Sequence, residues 1–150
     1  MYERKTVGLA EARKAVEAMI REASKEPDRP MAVAVLDDRG DLVCFEKMDG
    51  ASKLFGDMAI RKAYTAVQAR NNTGELQERF KSVGAKVEWF GPDYTLMWGG
   101  QVITDPGEYV PFRSKVYGAI GASGRSAVTE DAALAKLGVK AIQDILWPSK

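Results

Sequence analysis

Leu9, Ala12, Val16, Met19, Ile20 and Ala23 recur at helical spacing, with Glu11, Arg13, Lys14, Glu17 and Arg21 between them. This pattern predicts an amphipathic first helix. Pro27 and Pro30, in "KEPDRP", end it, because proline lacks the amide and clashes with the preceding turn. Residues 31–36, "MAVAVL", are apolar at every position, as in a central strand covered on both faces. "DDRGD" turns the chain, with Gly40 free to take positive φ. Residues 42–47 return as the second strand of a hairpin.

Leu54, Met58, Ala59, Ala63, Ala66 and Val67 supply the buried side of a second helix over residues 52–69. Asn71, Asn72 and Gly74 stop it, and a short third helix covers 75–83. "GAKVEWFGPD" reads as a loop, "YTLMW" (94–98) as a strand, and "GGQVIT" as a turn with a short strand. "DPGEYVPFRSK", with two prolines, is an excursion over the surface. "KVYGAIGAS" is the last strand and "TEDAALAKLGVKAIQDIL" the last helix. Hairpin-joined strands with helices before and after predict an α+β fold, an antiparallel sheet flanked by helices. The 150 residues show no repeat, linker or low-complexity segment, which suits a single domain over 1–150.

Charge narrows the partners. Lys plus Arg is 22 and Asp plus Glu is 21, so no net field draws the chain to nucleic acid or an anionic membrane. The first twenty residues hold no unbroken apolar stretch, so neither a signal peptide nor a membrane span is read there. The single cysteine, Cys44, cannot form an internal disulfide, and these features fit a cytoplasmic protein. Cys44 sits in a predicted strand and reads as buried and inert. The chain has no histidine. That removes imidazole metal ligands, Ser-His and Cys-His pairs, and an imidazole for a haem iron. No metal site is expected. Any proton transfer falls to Asp, Glu, Lys, Tyr, the thiol or water.

"VYGAIGASGRSAVTED" (116–131) places Gly118, Gly121 and Gly124 between a strand and a helix. It is not the G-x-G-x-x-G of a dinucleotide fold, nor a Walker loop ending in Gly-Lys-Ser/Thr. With Thr129 as the cap, Glu130 and Asp131 would occupy the first turn. They suit the helix dipole and compete with phosphate for the same amides. Gly118 and Gly121 instead let a helix or a flat ligand lie close against the strand backbone.

"MDGA" after the hairpin, "IRKAYTA" in the next helix, "WGG", and "GAIGASGRSAVTED" before the last helix occur in this order from about Thr6 to Leu146. In this the chain resembles the GlcG/HbpS-like family, whose members include haem-binding proteins and the C-terminal domain of PduO-type cobalamin adenosyltransferases. The resemblance implies a profilin-like fold, assembly into homo-oligomers, and haem as the best single named ligand. A shared fold does not carry a function, so the residues are weighed one at a time.

Met48 and Asp49 match "MDGA". Met48 offers a thioether to haem iron or fills core. Asp49 is a pocket-rim acceptor or base, or else caps the second helix. Lys62 and Thr65 share one helix face, lining a polar site or a solvated flank beside an alanine seam. Arg70, near the helix end, is placed to hold a carboxylate or complement the dipole. Gly121, Ser123, Arg125 and Glu130 belong to the glycine-rich stretch and its helix start. Trp89, Phe90 and Trp98 form an aromatic wall or core.

Two functions stand side by side. One is an oligomeric small-molecule-binding domain, with its pocket near "MDGA", Lys62 and the 118–124 strand. The other is a cofactor-free enzyme, or an accessory protein, acting on a small organic acid in a catabolic pathway. In that case Arg61, Lys62, Arg70, Arg113 and Arg125 would neutralise the substrate, and Asp49, Lys62 or Glu130 would move a proton.

Overall fold

The computed structural model describes residues 1–149. Its elements are α1 (Leu9–Ala23), β1 (Ala32–Asp37), β2 (Leu42–Lys47), α2 (Lys53–Ala69), α3 (Thr73–Val83), a 3₁₀ turn (Val87–Phe90), β3 (Gly100–Ile103), β4 (Gly118–Ser123) and α4 (Val128–Leu146). The four strands form an antiparallel sheet in the order β2-β1-β4-β3. β1 and β4 are central, which is why both are buried along nearly their whole length.

The pleat divides the core in two. Met31, Val33, Val35, Ile103, Ile120 and Ala122 face α1 and α4, meeting Val16, Met19, Ala135 and Ile142. Ala32, Ala34, Leu36, Val102 and Ala119 face α2, meeting Ala59, Ala63 and Ala66. The result is three layers, with α1 and α4 on one side of the sheet and α2 on the other. The alanine seam brings α2 unusually close. A Cβ on Gly121 would collide with the carbonyl oxygen of Ala59. The body that lies against this strand is thus the chain's own helix.

Residues 94–98 do not form the expected strand. Side chains take the amides that a ladder would need: Thr95 N–H donates to Thr65 Oγ1 at 2.9 Å, and Met97 N–H to Thr95 Oγ1 at 3.2 Å. Two helix starts also differ from expectation. Ser52 caps α2, its Oγ accepting the Phe55 amide at 3.3 Å, while Asp49 lies exposed in the preceding turn. Ala127 stands at the cap of α4 in place of Thr129, its carbonyl accepting the Glu130 amide at 2.9 Å.

The sheet's two edges are finished differently. On β3, the outward amides of Gly100 and Val102 donate to Thr73 Oγ1 at 3.0 Å and Asn72 Oδ1 at 2.9 Å. Among the described residues nothing takes up the outer edge of β2 in this way. No helix among them is long and apolar enough to cross a membrane.

Candidate functional site

The junction of β4 and α4 collects several of the singled-out residues. Lys62 is 0% exposed, an extreme position for a cation. Its Nζ donates to the Ala122 carbonyl at 2.9 Å and to Asp131 Oδ2 at 3.0 Å. Asp131 Oδ1 accepts the Arg125 amide at 3.0 Å. This loop amide, two residues ahead of the α4 cap, is therefore occupied. The turn at Gly99 closes the group from above: a Cβ there would stand 2.6 Å from the Ala122 carbonyl oxygen and 3.1 Å from Lys62 Cδ. One ion pair thus ties α2 through β4 to α4. Burial pushes the Lys62 ammonium down and the Asp131 carboxyl up, each towards its neutral form, against their mutual attraction.

Arg125, whose amide meets Asp131, turns its side chain to a cavity of about 260 Å³ between α1 and α4, lined by Glu26, Met31, Arg125, Glu130, Leu134 and Leu137. The Arg125 side chain is 6% exposed. Its Nε donates to Met31 Sδ at 3.1 Å and its Nη2 to the Ala23 carbonyl at 3.0 Å. Its Nη1 is 3.5 Å from Glu26 Oε2 and has no hydrogen-bond partner. A buried charged donor without an acceptor is uncommon, because water or a partner normally satisfies it. Glu130 is held by Arg29 Nη2 at 2.5 Å, and that bond keeps its carboxyl below the usual range.

Met48 is half-buried next to this cavity, its Sδ accepting the Met31 amide at 3.3 Å. Ser123 is buried at the end of β4, opposite Ala32. The junction therefore gathers Met48, Lys62, Ser123, Arg125 and Glu130, with Asp49 in the adjoining turn. They fall in two places: Arg125 and Glu130 line the cavity, whereas Lys62 is sealed against Asp131 and does not line it. Thr65 and Arg70 lie elsewhere. Thr65 is buried under residues 94–98. Arg70 ends α2 near the opposite end of β4, with its carbonyl accepting the Phe112 amide at 3.0 Å.

Sequence reasoning missed Arg29 and Met31. Arg29 lies in a stretch read only as a helix stop and Met31 was read only as the start of a central strand, and their partners are distant in the chain. It also placed Cys44 too deep. Cys44 is half-buried in a groove of about 540 Å³ between α1 and β2, beside Arg13, Val16, Ile20 and Glu46. Desolvation raises its pKa, which keeps the thiol protonated. Among the described residues no three His, Cys, Asp or Glu side chains are grouped to hold a metal ion.

Comparison with known proteins gives a consistent picture. The family model described as "Haem degrading protein HbpS-like" matches residues 7–140. An uncharacterized 15.0 kDa protein in the dhaT-dhaS intergenic region of Citrobacter freundii is 31% identical over 143 residues, covering 93% of this chain and 94% of that protein. A crystal structure of Streptomyces reticuli HbpS, as a double mutant, superposes with a TM-score of 0.79 at 28% identity, covering 93% of this chain and 89% of that one. The PduOC haem complex superposes with a TM-score of 0.74 at 21% identity, covering 91% and 94%, and shares the fold.

Proposed function

We propose, from the premise that the chain belongs to the HbpS-like family, that it binds a small molecule in the cavity at Arg125, with haem as the best named ligand. The observation that carries this reading is the buried Arg125 Nη1 on the cavity wall, which makes no hydrogen bond and has only the half-exposed Glu26 carboxylate, 3.5 Å away, as a neighbour. A ligand carboxylate or carbonyl would satisfy it with a charge-assisted bond. Leu134, Leu137 and Ala133 supply the apolar wall that a flat ring would need.

The residues fit one end of haem. Arg125 would hold a propionate, and the leucines would cover part of the ring. At about 260 Å³ the cavity is below the usual range of roughly 300–1,000 Å³ for small-molecule sites, so the rest of the ring would stay outside. The nearest sulfurs, Met31 and Met48, already accept hydrogen bonds. Haem, when bound, brings iron chemistry. What the chain's residues do is grip the acid group and shield one ring edge.

Binding is favoured over a cofactor-free reaction because two of the three candidate proton carriers are engaged: Lys62 is sealed against Asp131, and Glu130 is held by Arg29. The reading includes a homo-oligomer located in the cytoplasm. Exposed Leu42, Phe45 and Leu54 around the open edge of β2 support self-association.

The test is a haemin titration followed in the Soret region, on wild type and on Arg125→Met, with circular dichroism to confirm folding. A saturable one-site shift, weakened about tenfold or more by Arg125→Met, is expected. A weak linear response in the wild type would remove haem from this cavity.

A further inference from the structure

At the other end of β4 the N-terminal segment, the end of α2 and the 110–116 loop enclose a second cavity of about 260 Å³. Its walls carry Arg4, Lys5, Arg70, Arg113 and Lys115, against the acids Glu3 and Asp38. Arg4 is neutralised by Asp38, with Nε to Oδ2 at 2.7 Å. Four cations therefore face one acid, in a chain whose formal net charge is +1. Among the described residues none of the four forms an ion pair, although most of the ion pairs elsewhere lie on the open surface. Cations gathered in a concave site focus the field and raise the local concentration of anions.

The backbone adds a second, independent observation. Arg70 (φ 52°) and Phe112 (φ 66°) are the two non-glycine residues with positive φ among the described residues. They are joined to each other, Phe112 N–H donating to the Arg70 carbonyl at 3.0 Å. Left-handed backbone is unfavourable for a residue with a Cβ, and helices commonly end on glycine there. Here the conformation is carried by an arginine that lines the cavity, and Phe112 is followed directly by Arg113, which lines it too. Such outliers persist where surrounding structure holds them, and they cluster at ligand sites.

We infer that this cavity binds a small multivalent oxyanion, a polycarboxylate or a phosphate, gripped by Arg70 and Arg113 and neutralised by Lys5 and Lys115. Two guanidinium forks suit paired oxygens, which a monovalent anion such as chloride lacks. The inference is independent of the Arg125 cavity, which lies at the opposite end of the strand and is assayed with haemin.

The experiment is a thermal-shift and calorimetric titration of the full chain with citrate and, separately, inorganic phosphate, with ionic strength matched by sodium chloride. A saturable stabilisation by at least one anion is expected, as for any ligand that binds the folded state. Arg70→Gly and Arg113→Gln should each weaken binding about tenfold, as lost charge-assisted grips. Arg70→Gly is the more telling variant, because glycine suits the left-handed position and the protein should fold at least as well without the anion. Lys136→Gln, which removes an exposed charge on α4, should leave affinity within about twofold. A citrate-only or phosphate-only response tells the two anion types apart. The inference is overturned by no saturation with either anion at matched ionic strength. It is equally overturned by wild-type binding in both arginine variants, or by a Lys136→Gln loss as large as theirs.

Discussion

Glu130 and Asp131 are consecutive in the first turn of α4, and each pairs with one cation, yet they live in different solvents. Asp131 meets Lys62 inside the protein, where both side chains are at least 95% buried. Glu130 meets Arg29 at the surface, with 42% and 36% of the side chains exposed. A step of one residue around the helix changes what the pair does. Water screens the outer pair and competes for it, so it contributes little. The inner pair has lost its water. Its attraction mainly offsets the penalty of burial, and it acts as a latch between layers more than as a source of stability.

The sharpest way to break this contrast is Lys62→Met. It leaves the Asp131 carboxylate buried without its cation and should lower stability by about 3–5 kcal/mol, read from urea midpoints. Replacing both partners, Lys62→Met with Asp131→Leu, should recover most of that loss, since no buried charge remains. A double variant as unstable as the single would show that the pair's net attraction is itself large.

The pH dependence comes next in size, and the two acids have opposite signs. The folded pKa of Asp131 is raised, so the folded state holds its proton longer and stability from this group is lost as pH rises above about 3.8. The folded pKa of Glu130 is lowered, so its contribution is present above about 4.5 and is lost as pH falls below that. Lys62 has a lowered folded pKa, so between that value and 10.5 the unfolded state binds more protons and stability from this group grows as pH rises. Thermal melts between pH 3 and 6, a range set by those ordinary values, should show Asp131→Asn and Glu130→Gln bending the profile in opposite directions. Bends of the same sign would refute the assignment. The smallest effect is Glu130→Gln at neutral pH, which should leave the urea midpoint unchanged within error.

Much of the architecture was legible because period alone decides it. The unbroken apolar run of β1 marks a strand covered on both faces, the alanine seam of α2 marks the helix face that packs on it, and the order of short motifs led to the right family. The strand expected at 94–98 failed because its amides are satisfied by Thr65 and Thr95, and Thr65 lies thirty residues away in α2. The site was legible by residue and illegible by depth. Lys62 and Glu130 were both marked as reactive, and Asp131 as a helix-start acid. Nothing in the chain near either end reports that Lys62 and Asp131, 69 positions apart, meet in the interior while Glu130 stays outside. Arg29 and Met31 gave no sign of a site, since their role exists only once the segment ahead of β1 meets the β4–α4 junction.

The unequal finish of the two sheet edges sets a limit on growth. With the β3 side sealed by Asn72 and Thr73, another chain can extend the sheet only from β2. Two copies meeting there across a two-fold axis use up both open edges, joining two four-stranded sheets into one closed unit. In such a pair strand-by-strand addition would have no open edge left to continue from, and a larger assembly would have to be built through helices and loops.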